Sequence, residues 1–273
     1  MTVSAQRAGR LDLGPPFDWR RRGETLWIEA LLHAGRAAFS TRVGGRSSGP
    51  YESLNLGILT DDEQELVALN RQILARAVER DPAAFAMGLQ VHGADVQRHT
   101  ARPEASSYLT RGLQMAKVDA HVTVVAEVTP LVLAADCIPL VLASPGAVGA
   151  VHCGWRGVAE GIVGNALEAL CEVAASAKSA VTGVLGPGIA QCCYTVGPEV
   201  TTVFRARGHE DSIAGGNRLD LPKAVRAELE RAGVSPERIH DVGMCTSCNP
   251  SHFFSHRRDH GVTGRQAGLA WLA

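Results

Sequence analysis

Cys137 and His152 lie in the stretch LVLAADCIPLVLASPGAVGAVHCGWRG, residues 131–157, where each ends an apolar run: Cys137 after Ala135-Asp136, His152 after Val151. A thiol and an imidazole delivered by adjacent strand ends can meet in space. There they would ligate a soft or borderline metal, or act as a nucleophile and its base. A second imidazole, His92 in GLQVHGADV, stands before Gly93 in a comparable position. Taken alone, a histidine so placed is more often a packed core residue than a ligand.

The elements that must position these residues can be read from the apolar pattern. LVLAA, PLVLAS and AVGAV read as closely spaced buried strands. VDAHVTVVAEV, residues 118–128, reads as another, with Asp119 near its start. Leu89 and Val91 alternate into His92, which places that histidine at a strand-to-turn junction. RGVAEGIVGNALEALCEV, residues 156–173, reads as a helix opening directly after His152-Cys153-Gly154-Trp155. Its N-terminus, with Arg156, would favour a thiolate or a bound anion. Two amphipathic helices lie elsewhere, over residues 61–80 (Leu66, Leu69, Ile73 and Ala77 at helical spacing) and 219–234 (Pro222 near its first turn). Residues 1–25 read as an irregular start and 98–117 as a connecting loop.

The 273 residues carry 45% hydrophobic and 20% charged side chains, an ordinary balance for a globular protein with a sizeable core. A net charge of −1 gives neither a nucleic-acid footprint nor a polybasic membrane patch. The basic run WRRRGE near Trp19 reads as a solvated face. No apolar run approaches the roughly 18–20 residues of a membrane span, and no signal-peptide core opens the chain, so a cytoplasmic location is expected. Seven cysteines, an odd count, point to thiols or metal ligands rather than a disulfide framework.

Other motifs carry less. STRVGGRSSGPYESLNLG, residues 40–57, combines glycines with Arg42 and Arg46, as an anion-binding loop would, or a plain surface turn. Cys192-Cys193 are adjacent, and neighbours in regular structure cannot both enter one site, so the pair reads as structural. Cys245-x-x-Cys248 supplies only half of what a structural zinc needs. His252, His256 and His260 follow at four-residue spacing, but Phe253-Phe254, Gly261 and Thr263-Gly264 look like strand and turn. Arg257, Arg258 and Asp259 could form an ion-pair network that closes the domain.

STRVGGRSSGPYESLNLG, QVHGADV, VDAHVT, AADCIPLVL, AVHCGWRG, GPGIAQCCYTVGPEV and CTSCNPSHFFSHRRDHGVTGRQ together resemble one family in its expected order. It is the bacterial family long labelled polyphenol oxidase, or laccase domain, now described as purine nucleoside phosphorylases and related to the mammalian laccase-domain-containing protein. The resemblance spans residues 36–273; residues 1–35 remain as an N-terminal extension and first strand. It implies that His92, Cys137 and His152 bind one catalytic zinc, with copper as the alternative, and leave a fourth position for water or substrate. Arg42 and Asn55 are implied near the pocket as phosphate or ribose contacts, and Asp119 or Asp136 as the group that orients a histidine ligand. Cys153 departs from the commoner alanine of VHAGWRG and, on a strand, should face away.

The expected fold is a single α/β domain with a mixed or largely antiparallel sheet core, flanked by helices near 63–80, 156–173 and 221–233. The expected function is phosphorolysis of purine nucleosides to base and ribose 1-phosphate, in a monomer or homodimer, with adenosine deamination as a secondary activity. Two alternatives stay open: a hydrolase with Cys137 as nucleophile and His152 as base, and a copper-dependent polyphenol oxidase. None of the ten histidines forms a His-x-His pair, which argues against a multicopper laccase centre.

Overall fold

The apolar runs around Cys137 form strands because each is short, bounded by turn residues and buried along its whole length. The computed structural model describes residues 13–104, 106–109 and 115–273. The expected irregular start at 1–12 and parts of the 98–117 loop fall outside them. In chain order the elements are β1 (Phe17–Arg22), β2 (Thr25–Leu32), β3 (Gly35–Ser40), α1 (Gln64–Ala77), β4 (Phe85–Ala86), β5 (Val96–His99) and β6 (Ala120–Thr123). Then follow β7 (Thr129–Ala134), β8 (Ile138–Ser144), β9 (Ala147–Cys153), α2 (Trp155–Glu160), α3 (Ile162–Ala174), β10 (Thr182–Leu185) and α4 (Pro198–Ala206). The last are β11 (Ile213–Ala214), β12 (Arg218–Leu219), α5 (Leu221–Arg231), β13 (Ile239–Asp241) and β14 (Gln266–Leu272).

Two six-stranded sheets run in the orders β1-β2-β3-β14-β7-β4 and β13-β10-β8-β9-β6-β5. Most pairs are antiparallel; β4–β7, β5–β6 and β10–β13 are parallel. The sheets pack face to face through Ile28, Phe39, Val141, Val148 and Ala270. A phenylalanine as fully buried as Phe39 contributes about 1.5–3 kcal/mol. Helix α3 covers the second sheet through Ile162, Val163, Ala166 and Leu170, and Leu74 of α1 covers the first. The mixed α/β fold flanked by helices is therefore as expected.

Three local expectations are corrected. Part of the supposed irregular start, Phe17–Arg22, is an edge strand paired along its length with β2. The helix over 156–173 is two helices, broken at Gly161, whose φ of +97° a side chain would resist. Residues 89–91 are not a strand: the Gln90 side chain pairs instead with β7, donating to the Leu133 carbonyl (2.7 Å) and accepting its N–H (2.8 Å). The alternation of Leu89 and Val91 thus reflects a loop laid along a sheet edge.

The loop 40–57 does not present its amides to an anion. The Gly45 N–H goes to Ser53 Oγ, Arg46 N–H to Asn70 Oδ1 and Ser47 N–H to the Ser53 carbonyl. Among the described residues no helix is long and apolar enough to cross a membrane.

Candidate metal centre and its cavity

Strand register brings the thiol and the first imidazole together. In the β8–β9 pair, Ile138 faces Cys153 and Pro139 faces His152, so Cys137, one step before β8, lies beside the end of β9. His92 arrives from the loop before β5. Its Nε2 is 3.9 Å from Cys137 Sγ, and its ring meets that of His152 edge-on, with centroids 4.9 Å apart. One ligand atom from each of the three lies within 4.8 Å of the others. Gly154 leaves them room, because a Cβ there would stand 2.7 Å from His92 Cδ2 and 3.2 Å from Cys137 Sγ. Two imidazoles and a thiol at this spacing suit one zinc or copper ion.

A single carboxylate organises two of the three. Asp119 is fully buried and accepts from the backbone N–H of Val91 (2.9 Å), His92 (3.0 Å) and Gly93 (3.0 Å). It also pairs with His152 Nδ1 at 2.8 Å. The Nδ1–H so donated leaves Nε2 as the lone-pair nitrogen that a metal needs. His92 is held at φ +61° by these bonds, and Asp136, next to Cys137, at φ +94°. Such backbone persists only where its surroundings over-determine it. For Asp136 the anchors are Thr246 Oγ1 (2.6 Å) and Arg257 N–H (2.7 Å), which donate to its two oxygens.

The electrostatics follow from burial and pairing. Burial would push the Cys137 thiol up, but the charge of His152 and hydrogen bonds from His152 and His92 outweigh it and bring the thiol down to about 6. For His152 burial works against the charge, yet the Cys137 thiolate and Asp119 prevail and raise it to about 9. Burial would likewise raise Asp119, but the His152 hydrogen bond and the Gly93 and Val91 amides hold it below the usual carboxylate range. The result is a thiolate–imidazolium pair, and a cation held by the same atoms would take the place of the His152 proton.

The three residues line a cavity of about 530 Å³. Met87, Leu89, Met115, Leu133, Trp155 and Tyr194 give it apolar and aromatic walls, and Arg156, Arg257 and Arg265 give it positive charge. Arg156 lines the cavity, with its guanidinium over the Trp155 ring. Arg42 is not. It donates to the carbonyls of Glu52 (2.6 Å) and Pro250 (3.1 Å), stacks on Phe254 and lines a separate recess. Asn55 is buried behind the cavity wall, where its Oδ1 accepts the N–H groups of Gly57 and Arg265, both at 2.9 Å. It is not among the residues that line the cavity. Arg257 and Arg265 also line the cavity, and both sit in the motif HRRDHGVTGRQ; an arginine's type alone does not tell a pocket cation from an ion-pair partner.

Cys153 is fully buried in the core, facing away from the tripod as expected. The adjacent pair Cys192-Cys193 is not merely structural filler, because with Cys245 and Cys248 it forms a second group with all four sulfurs within 4.8 Å. Cys192 and Cys193 stand in a turn, where the alternation of regular structure does not apply.

Residues 36–273 match the family model described as multi-copper polyphenol oxidoreductase laccase. The chain is 36% identical to a Geobacillus stearothermophilus protein named purine nucleoside phosphorylase YlmD, over 90% of this chain and 92% of that one. It is 38% identical to a Deinococcus radiodurans protein named purine nucleoside phosphorylase, over 86% of this chain and 88% of that one. Among solved structures, YlmD from Geobacillus stearothermophilus superposes with a TM-score of 0.84 at 31% identity, over 94% of this chain and 99% of that chain. The hypothetical protein YfiH of Bacillus licheniformis gives 0.87 at 29% identity, over 95% of this chain and all of that one.

Proposed function

The chain belongs to the multi-copper polyphenol oxidoreductase laccase family, and from that membership we propose that it is a purine nucleoside phosphorylase with one zinc ion held by His92, Cys137 and His152. The observation that carries this reading is a three-residue tripod on the wall of a cavity lined by both apolar side chains and arginines. Zinc, when bound there, supplies a Lewis acid with an open position.

The chain's own residues do the rest. Tyr194, Trp155 and the methionine and leucine walls offer a slot for a flat purine, while Arg257 and Arg265 offer forked donors for phosphate. Each of those arginines already donates to backbone carbonyls, Arg257 to Thr195 and Arg265 to Thr263 and Gly264, so its position is fixed before phosphate arrives. Phosphate oxygen then attacks the anomeric carbon as the bond to the base breaks, and the electron pair leaves with the purine. Asp119 keeps His152 in one tautomer throughout.

Adenosine deamination is the weaker reading. It needs a free carboxylate to move protons beside the metal. Asp136, the acidic side chain lining the cavity among the described residues, is engaged at both oxygens. Phosphate-dependent release of base and ribose 1-phosphate from inosine or adenosine, followed by chromatography, tests the proposal. Loss of at least 10²-fold in rate is expected for Cys137→Ala. Activity that survives that change, or base release indifferent to phosphate, refutes it. A covalent adduct on Cys137 with turnover unaffected by chelators would instead establish the cysteine hydrolase.

A further inference from the structure

Four thiols meet about the turns that follow β10 and β13, outside the tripod. Cys192 and Cys193 come from one turn and Cys245 and Cys248 from another, and one sulfur from each lies within 4.8 Å of the rest. Cys248 Sγ is 3.5 Å from Cys192 Sγ and 3.3 Å from Cys193 Sγ, too far for a disulfide and close for unbonded sulfurs. All four are free cysteines, and Cys192 and Cys248 are exposed, so the cluster is not explained by the packing of small apolar side chains. Four thiolates placed tetrahedrally about a metal at about 2.3 Å have sulfur–sulfur edges of about 3.8 Å. The observed spacing fits one ion at the centre; an iron–sulfur cluster, with bridging sulfides between its irons, needs its cysteines farther apart.

The backbone around the cluster is already organised. Gly188 bridges Cys245, Ala190 N–H points to Cys245 Sγ at 3.4 Å, and Asn249 Nδ2 donates to the Cys245 carbonyl at 2.8 Å. An amide donating to a thiolate is favourable. Arg257, donating to the Thr195 carbonyl, and Arg258, donating to the Thr246 carbonyl, tie the C-terminal segment to both turns.

We propose that Cys192, Cys193, Cys245 and Cys248 bind a second zinc ion as a closed tetrathiolate centre, which staples the turn before Tyr194 to the segment that carries Arg257. Binding converts four thiols to thiolates and releases four protons, with no change of oxidation state. The centre has no position left for water or substrate, so its role is to hold the cavity wall. Its metal binding does not rest on the reaction proposed for the tripod.

The test uses the full-length chain with Cys137→Ala or, should that variant be unstable, His92→Ala, either of which removes the tripod and leaves the four cysteines intact. Elemental analysis after dialysis should find two zinc ions per chain in the unaltered protein, one in the tripod variant and one in Cys248→Ser. Cobalt in the tripod variant should give the strong sulfur-to-metal charge-transfer and red d–d bands of a tetrahedral four-sulfur site, which two imidazoles and one thiolate do not produce. A folded tripod variant that retains neither zinc nor cobalt overturns the proposal. Iron in place of zinc overturns it too, as does a count of free thiols in the denatured protein that reveals disulfides among these four.

Discussion

Asp119→Asn isolates what one carboxylate does for the tripod, since it preserves shape and removes one acceptor oxygen. Oδ1 serves His92 N–H and His152 Nδ1; Oδ2 serves the N–H groups of Val91 and Gly93. An asparagine has one carbonyl oxygen, so whichever way it turns, its amide N–H₂ faces two groups that were donors. If it faces Val91 and Gly93, the loop presenting His92 loses two of its three backbone anchors. If it faces His152, the imidazole must exchange tautomers, and Nε2 then carries the proton where a metal needs a lone pair. Either way two charge-assisted bonds are lost, each worth about 1.5–3 kcal/mol, or about 3–6 kcal/mol together. Against a total stability of about 5–15 kcal/mol that is a large fraction. At roughly 2–4 °C per kcal/mol, Tm should fall by roughly 6–24 °C. Zinc affinity of the tripod, read by competition with a chromophoric chelator, should fall by about 10–100-fold. A variant whose Tm stays within about 2 °C and whose tripod affinity is unchanged would refute the role given to Asp119.

Two more predictions come from particular contacts. Gly154 has an ordinary extended backbone, and only the nearness of His92 and Cys137 excludes a side chain; Gly154→Ala should therefore lower turnover by about 10²-fold through a displaced ligand while the far-ultraviolet spectrum is unchanged, and undiminished turnover would count against it. His121 is buried beside His99, at 3.1 Å, and burial first, then the His99 charge, bring it down to about 3, with Asp119 opposing. Its folded pKa lies below the unfolded value of 6.5, so the unfolded chain binds the extra proton and stability is lost as pH falls from 6.5 towards 3. Chemical denaturation between pH 6.5 and 5 should give a slope of up to about 1.4 kcal/mol per pH unit, and His121→Phe should flatten it; an unaltered slope in that variant would refute the assignment.

The candidate ligands were legible because their types are scarce and their neighbours are punctuated. Cys137 and His152 end apolar runs, and strand pairing carries sequence nearness into space through the β8–β9 register. His92 was legible only through the resemblance, since no periodicity links it to β8 and β9; its place is set by Asp119, a tertiary contact. Of the cationic wall only Arg156 carries a sequence signal, for the same reason. Arg42 looked like an anion contact because it sits in a glycine-rich loop, yet those amides and its own guanidinium are consumed internally. Arg257 and Arg265 reach the cavity from a C-terminal segment of turns, whose course depends on contacts rather than local preference. The four-cysteine group escapes a rule valid for strands and helices, because Cys192 and Cys193 stand in a turn.

Asp136 explains why the C-terminal segment belongs to the site at all. It precedes Cys137 directly, and its two oxygens accept from Thr246, inside the second cysteine turn, and from the backbone of Arg257. A shift of that segment would therefore act at once on the backbone next to a tripod ligand and on a cation of the cavity wall. The φ of +94° at Asp136 makes the coupling stiff, because a residue with a side chain is uncommon there and is held by those two donors and by the Ile189 N–H on its carbonyl. The candidate metal centre thus lies between two anchored carboxylates, Asp119 beside the imidazoles and Asp136 beside the thiol. The chain places its chemistry where strand ends can be fixed from both sides.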